Sequence, residues 1–234
     1  RGVTSKRVLS QSANLHLYLG LESPPGMQIF DGMIGVDVPR DDRESVPFSR
    51  LLRESPDEFR ATGSSRLPVG VDLNGEWVWI DLADSNSAHV LVAGTPGSGK
   101  SQGLRTAAAS LRRTNTPGER GLVLGDPKQN AFRFALGSPV LAGPVLVPGE
   151  VDIAEVLEHY VERMNARNAE IAETGSQSLE EHSRAVGRPL RRVVIVCDEY
   201  ADLLAGCATK AERDRIERMM RRLAQLGRAP GFHL

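Results

Sequence analysis

Hydrophobic positions change period several times along the chain, and each change predicts an element. Leu15, Leu17 and Leu19 alternate with His16, Tyr18 and Gly20, the pattern of a half-buried strand, which Pro24-Pro25-Gly26 breaks. Met33 to Val38 predicts a second strand, closed by Pro39 and the charged run Asp41 to Glu44. Phe48 to Leu52 starts a short helix, and Ser55-Pro56-Asp57-Glu58 reads as a helix cap with proline at the first helical position. Ala61 to Arg66 is loop-like. Val69 to Leu73 and Trp77 to Ile80 then flank Asn74-Gly75, a hairpin signal. Trp77 and Trp79 share one face of that hairpin, which fits a packed sheet side better than the alternative, a base-stacking platform.

From here short apolar runs alternate with helical stripes. Val90 to Ala93 predicts a strand, and Leu104, Ala107, Ala108 and Leu111 lead a helix. Thr114 to Arg120 is a turn-rich connector before Gly121 to Gly125, a second buried strand. Gly137 to Gly149 is punctuated by Gly and Pro, with Val145 to Val147 as a brief strand. Ile153, Val156, Leu157, Tyr160, Val161 and Met164 fall on one helical face, with Asp152 at its start. Residues 174 to 191 read as a polar loop, with Arg184, Arg188, Arg191 and Arg192 as a solvated face. Val193 to Cys197 is a third buried strand. The last stripe, Ile216, Met219, Met220, Leu223 and Leu226, ends at Gly227, expected as a left-handed cap. Strands alternating with helices predict an α/β domain with a mostly parallel sheet over residues 83–234, preceded by a small α+β subdomain over 1–82.

Composition adds little. With 234 residues the chain can bury a sizeable core, and a formal net charge of -1 neither requires nor excludes a nucleic-acid partner. Cys197 and Cys207 are too few for a disulfide framework and fit a reducing cytosol. No apolar stretch approaches membrane-spanning length. The chain starts at Arg1 and stops inside an apolar run, as a piece of a longer protein would, and that longer protein has room for a membrane anchor elsewhere.

The candidate chemistry sits at the carboxyl ends of the predicted strands, where open α/β sheets bind ligands. After Val90 to Ala93 comes Gly94-Thr95-Pro96-Gly97-Ser98-Gly99-Lys100-Ser101, a complete phosphate loop opening into a helix at Gln102. Its glycines let successive backbone N–H groups turn inward onto phosphate oxygens at the positive end of a helix dipole. Lys100 reaches the β- and γ-phosphates of ATP, and the Ser101 hydroxyl ligates the Mg²⁺ that bridges them. The second strand delivers Asp126-Pro127-Lys128. The third ends in Asp198-Glu199, a Walker B pattern: Asp198 for the Mg²⁺ shell, Glu199 to orient or deprotonate the attacking water.

Six blocks, GMIGVDVPRDDRESVPFSRLL, LPVGVDLNGEWVWIDL, HVLVAGTPGSGKS, GDPKQNAF, VVIVCDEYADLL and RRLAQLGRAPGFHL, resemble in order those of the FtsK/SpoIIIE family of DNA translocase motors and cover most of residues 30–234. The resemblance implies a RecA-like P-loop core with an amino-terminal α subdomain, assembled as a homo-oligomeric ring, usually a hexamer. Such rings pump double-stranded DNA using ATP. It places Asp126 and Lys128 at the edge of the nucleotide site. It also matches Arg228 to an arginine that reaches the neighbouring subunit's nucleotide. It implies that the strand after Walker B, beginning at Phe232, lies between the phosphate-loop strand and the Walker B strand. One segment departs from the family: Gln177 to His182 stands where a basic and aromatic stretch is usual, lacks its Arg and Tyr, and adds acid. Type VII secretion ATPases share the fold and are the alternative. Their second-strand motif is usually of Asp-Phe-Lys-Gly-Gly type, so Asp126-Pro127-Lys128 favours DNA.

Overall fold

A computed structural model describes residues 4–30, 32–38, 45–54, 57, 64–72 and 74–234. The chain divides into two compact units, Arg1–Ser45 and Val46–Leu234. The first unit holds helices α1 (Ser5–Leu9) and α2 (Ser12–Leu19) and the antiparallel strands β1 (Gly26–Phe30) and β2 (Met33–Asp37). The strand expected at Leu15 to Leu19 is therefore a helix. Leu17 and Tyr18 are exposed, so no sheet face buries the alternating leucines. Ala13, Leu15, Leu17 and Leu19 are good helix formers, and Gly20 closes the helix in the left-handed region at φ 64°. The expected β2 is present, whereas its partner β1 lies where only a chain break was expected. Pro39 and Asp41 to Glu44, residues 55, 56 and 58 of the expected helix cap, and residues 61–63 of the expected loop lie outside the described residues.

The second unit is organised by a three-stranded parallel sheet in the order β5 (Arg120–Gly125), β6 (Arg192–Cys197), β7 (Phe232–His233). Period-two alternation divides its side chains between two cores. On one face Val123, Val193 and Ile195 pack against α5 (Ile153–Glu173), α7 (Tyr200–Ala205) and α8 (Lys210–Leu226) through Leu157, Met164, Leu203, Ile216 and Leu223. On the other, Leu122, Leu124, Val194 and Val196 pack against α4 (Lys100–Thr114) through Ala108 and Leu111. Each fully buried leucine contributes about 1.5–3 kcal/mol of hydrophobic stabilisation. Helix α5 starts where expected, its Asp152 carboxylate accepting from the Glu155 N–H at 2.9 Å.

Helix α3 (Phe48–Glu54) forms as the pattern predicts, and a hairpin forms across Asn74-Gly75 from β3 (Arg66–Val71) and β4 (Trp77–Asp81), but β3 starts at Arg66, expected in a loop, and shifts register between Pro68 and Gly70. Leu67 and Leu82 join Ala108 and Leu111 of α4 in the second core. The compact units thus divide after Ser45, while the expected division lies at residue 82, because the hairpin covers the phosphate-loop helix. Val145 to Val147 contributes one isolated bridge, Leu146 to Gly125, beside the edge of β5.

Further expectations are corrected. Val90 to Ala93 is not a strand: the Val90 N–H donates to Leu234 O at 2.8 Å, and Leu91 is 95% exposed. A two-residue β7 offers a single rung on that side, too few to hold a ladder. That rung still puts β7 between β6 and the phosphate-loop segment. Residues 174–191 are not all loop, since α6 (Leu179–Ala185) forms with Ser178 accepting from the Glu181 N–H. Gly227 is not left-handed, with φ -76°. It is glycine because a Cβ there would lie 2.4 Å from Leu223 O and 2.5 Å from Phe232 O.

Arg192, expected on a solvated face, is buried beside His233 and Arg120. His233 Nδ1 lies 2.9 Å from Ala88 O and Nε2 lies 2.8 Å from Arg192 Nη1. A carbonyl on one side and a guanidinium on the other assign the neutral Nδ1–H tautomer. Arg192 also pairs with Glu180, and Arg120 donates to Asn115 Oδ1 and Ser64 O, both at 3.0 Å. Burial, assisted by the positive charge of Arg192 and Arg120, pushes the His233 imidazole down to about 3. A histidine with a depressed folded pKa stabilises fully above the unfolded value of about 6.5, and that stability is lost as pH falls toward 3. On the order of 4 kcal/mol is at stake over the whole window. Urea midpoints should therefore fall between pH 7 and pH 4.5, and His233→Gln should flatten that fall; an unchanged slope in the variant would remove His233 as its source.

Candidate nucleotide site

The phosphate loop is built as its sequence requires. Gly97 and Gly99 take φ 80° and 92°, where side chains are strained, and a Cβ on Gly94 would lie 2.5 Å from Ser98 Oγ. Ser98 N–H donates to Thr95 O at 3.2 Å, closing the turn after Pro96. Gly99 caps α4 without a side-chain acceptor, and the first turn, Lys100, Ser101 and Gln102, carries no acid. Its amide donors are thus uncompensated by any side chain of the helix's own first turn, an anion-receiving end. The Lys100 ammonium folds over the loop, donating to Gly94 O at 2.7 Å and Thr95 O at 3.0 Å.

Asp126 lies at the end of β5 but is only 3% exposed. Its carboxylate accepts from the backbone N–H groups of Asn130, Ala131 and Phe132 at 3.2, 2.9 and 3.0 Å. Those bonds fold the loop that presents Lys128, and Gln129 turns it at φ 54°. Arg105 of α4 donates to Ala131 O and Asn130 O, both at 3.0 Å, so the phosphate-loop helix and this loop are tied together. Arg105 was not expected in the site; a lone arginine five residues after Lys100, beside the apolar Leu104, is the one signal the sequence offers.

Lys128 forms an ion pair with Asp202 Oδ2 at 2.6 Å. The Asp202 carboxylate, with Glu199 and Asp198 behind it, holds the Lys128 ammonium above its ordinary value. Asp202 was also missed: it stands one helical turn after Asp198, in the first turn of α7. The Asp198 N–H donates to Gly125 O at 3.0 Å, which joins the ends of β5 and β6 and sets Asp198 and Glu199 beside the Asp126 loop. Asp198 Oδ1 is buried with no hydrogen-bond partner among the described residues. A buried carboxylate oxygen left without a protein donor suits a cation, and Mg²⁺ is commonly held by one or two carboxylates completed by substrate phosphates. Burial pushes the neighbouring Cys197 thiol up to about 12, so it stays protonated.

Arg228 is exposed on the turn between α8 and β7. Its guanidinium makes no hydrogen bond or ion pair with the described residues, while the backbone around it is held at every step. Gly231 N–H donates to Arg228 O, Leu179 N–H to Ala229 O, and Arg167 Nη1 to Pro230 O at 2.7 Å. Arg167 itself is half-buried over the Phe232 ring, 4.9 Å from its centroid, and desolvation pulls it down to about 10.

Over residues 51–234 the sequence matches the FtsK/SpoIIIE family. The chain belongs to that family. The DNA translocase FtsK of Pseudomonas aeruginosa is 31% identical over 261 aligned residues, which cover 100% of this chain and 31% of that protein. The chain thus spans about a third of the length of such relatives. Among solved structures, the cytoplasmic domain of the type VII secretion ATPase EccC of Thermomonospora curvata superposes with a TM-score of 0.58 at 28% identity, over 74% of this chain and 21% of that one. The conjugation coupling protein TcpA of pCW3, solved with ATPγS, gives a TM-score of 0.61 at 23% identity, over 98% and 63%. The fold is therefore that of P-loop ATPases, α/β with a parallel sheet between helices. No helix among the described residues is long and apolar enough to cross a membrane.

Proposed function

We propose that this chain is the motor part of an ATP-driven double-stranded DNA translocase, working as one subunit of a homo-oligomeric, hexameric ring. The observation that carries the reading is the 31% identity to a DNA translocase along the whole chain, together with the complete phosphate-loop and Walker B patterns of this sequence. In this reading Gly94 to Gln102 cradle the phosphates of ATP and Lys100 moves from its loop carbonyls onto the β- and γ-phosphate oxygens. Ser101 and Asp198 would hold Mg²⁺, which when bound would neutralise charge developing on the phosphates. Glu199 orients and deprotonates the attacking water. Lys128, steered by Asp202 and the Asp126 loop, adds positive charge at the site's edge, and Arg228 completes the site of the adjacent subunit. Residues 1–82 would act as the amino-terminal subdomain of this motor.

A motor that traverses any sequence grips phosphates, so DNA affinity should fall steeply with salt and depend little on sequence. The deciding measurement is ATPase activity with and without duplex DNA, at low and high salt. Stimulation by DNA of unrelated sequences that fades with salt is expected. The EccC likeness gives a second reading, a protein-secretion motor, and absence of DNA stimulation together with stimulation by a secreted polypeptide would replace the first reading by it.

A further inference from the structure

Beside the phosphate loop lies a cleft of about 250 Å³, bounded by α3, the β3–β4 hairpin and the first two turns of α4. Phe48, Leu51 and Trp77 form apolar walls, and Gly99, Gln102, Gly103 and Thr106 of the loop and helix form its floor and rim. We infer that this cleft seats the base of the bound nucleotide, with Trp77 as its aromatic wall. The inference rests on the nucleotide reading of the phosphate loop and extends it to the part of the ligand that the loop does not touch.

Three observations converge on it. Gly99 of the phosphate loop and Gln102 of the helix turn after it both line the cleft, so a ligand with its terminal phosphates at Lys100 and Ser101 lies next to the cleft and can extend into it. The volume is below the roughly 300–1,000 Å³ of sites that enclose a whole drug-sized ligand, which suits a flat fragment with its charged remainder outside. Gly103 weakens a helix interior, yet nothing within 4 Å would obstruct a side chain there. Packing therefore does not demand glycine, and what its absent side chain leaves clear is the floor of the cleft. A planar base buries apolar faces against Trp77, Phe48 and Leu51, while Gln102 and Thr106 offer polar atoms to its edge or sugar. The hairpin then belongs to the nucleotide site in function as well as in packing.

Binding of ATP and of inorganic tripolyphosphate to the unmutated chain and to Trp77→Ala separates the base from the phosphates. The unmutated chain should bind ATP more tightly than tripolyphosphate. Trp77→Ala should weaken ATP roughly ten- to hundred-fold, the effect of losing one aromatic stacking contact, with tripolyphosphate affinity unchanged. Trp77→Phe should restore most of the loss. In Trp79→Phe protein, where Trp77 is the remaining tryptophan, ATP but not tripolyphosphate should change the fluorescence. If Trp77→Ala fails to fold, Gly103→Leu fills the floor from the helix side and should weaken ATP alone. Equal affinities for ATP and tripolyphosphate in the unmutated chain, or ATP binding unmoved by Trp77→Ala or Gly103→Leu, overturns the base site while leaving the phosphate loop standing. Failure of the unmutated chain to bind either compound overturns both.

Discussion

Glu199→Gln protein should bind ATP as the unmutated protein does and turn it over about 10²–10⁴-fold more slowly, whereas Lys100→Ala should lose binding and turnover together. The two residues act at different points of the reaction coordinate. Lys100 carries a positive charge that already sits on the loop, bonded to the Gly94 and Thr95 carbonyls. Moving it onto phosphate oxygens stabilises ground state and transition state alike, so its loss appears in affinity first. Glu199 caps α7 through its backbone without using its side chain for the cap, which leaves the carboxylate for chemistry. Gln at 199 keeps the shape and the hydrogen-bonding reach but cannot accept the proton of the attacking water. Equilibrium binding of a fluorescent ATP analogue and phosphate release under single-turnover conditions separate the cases. Hydrolysis at the unmutated rate by Glu199→Gln protein would withdraw the catalytic role from Glu199.

The elements that carry these residues were legible because they rest on local pattern. A phosphate loop, the helix it opens and an apolar run ending in Asp198-Glu199 are each encoded within a dozen residues and form where the spacing predicts, and the Asn-Gly signal marks a hairpin whose first strand starts three residues earlier than expected. What could not be read was set by partners distant in the chain or by atoms without a sequence signature. Val90 to Ala93 has strand composition, but a strand exists only where a ladder holds it, and the single rung to Leu234 comes from 144 residues away. Gly227 had the right residue for the wrong reason: close packing on Leu223 O and Phe232 O, not a positive φ. Leu15, Leu17 and Leu19 fit two periods in an eight-residue segment, and with Leu17 and Tyr18 exposed no buried face decides between them. Asp126 looked like a ligand-binding acid at a strand end; its three backbone donors four to six residues on make it the residue that shapes the Lys128 loop.

Mixing two inactive variants should restore ATPase activity if the site is shared between subunits. Arg228→Ala alone should reduce turnover by about 10³–10⁵-fold, the range for an arginine that stabilises transition-state charge on a transferring phosphoryl group. The structural case is the contrast between backbone and side chain at this turn. Gly227, Ala229, Pro230 and Gly231 are fixed through bonds to Phe232, Leu179, Arg167 and Val193. The guanidinium of Arg228 stays exposed, with no partner among the described residues. A rigid turn that presents an unsatisfied cation is suited to act on something outside its own fold, and in a head-to-tail ring the neighbour's phosphate loop is the surface such a residue would meet. Arg228→Ala subunits keep an intact phosphate loop, and Lys100→Ala subunits keep the arginine. In mixed rings some interfaces therefore pair a working loop with a working arginine, and activity should peak at intermediate mixing ratios. Hydrolysis by the unmutated protein should also rise more than linearly with concentration in the range where rings assemble. Full activity from a monomer, or no recovery in rings proven to be mixed, would confine Arg228 to a role within its own subunit.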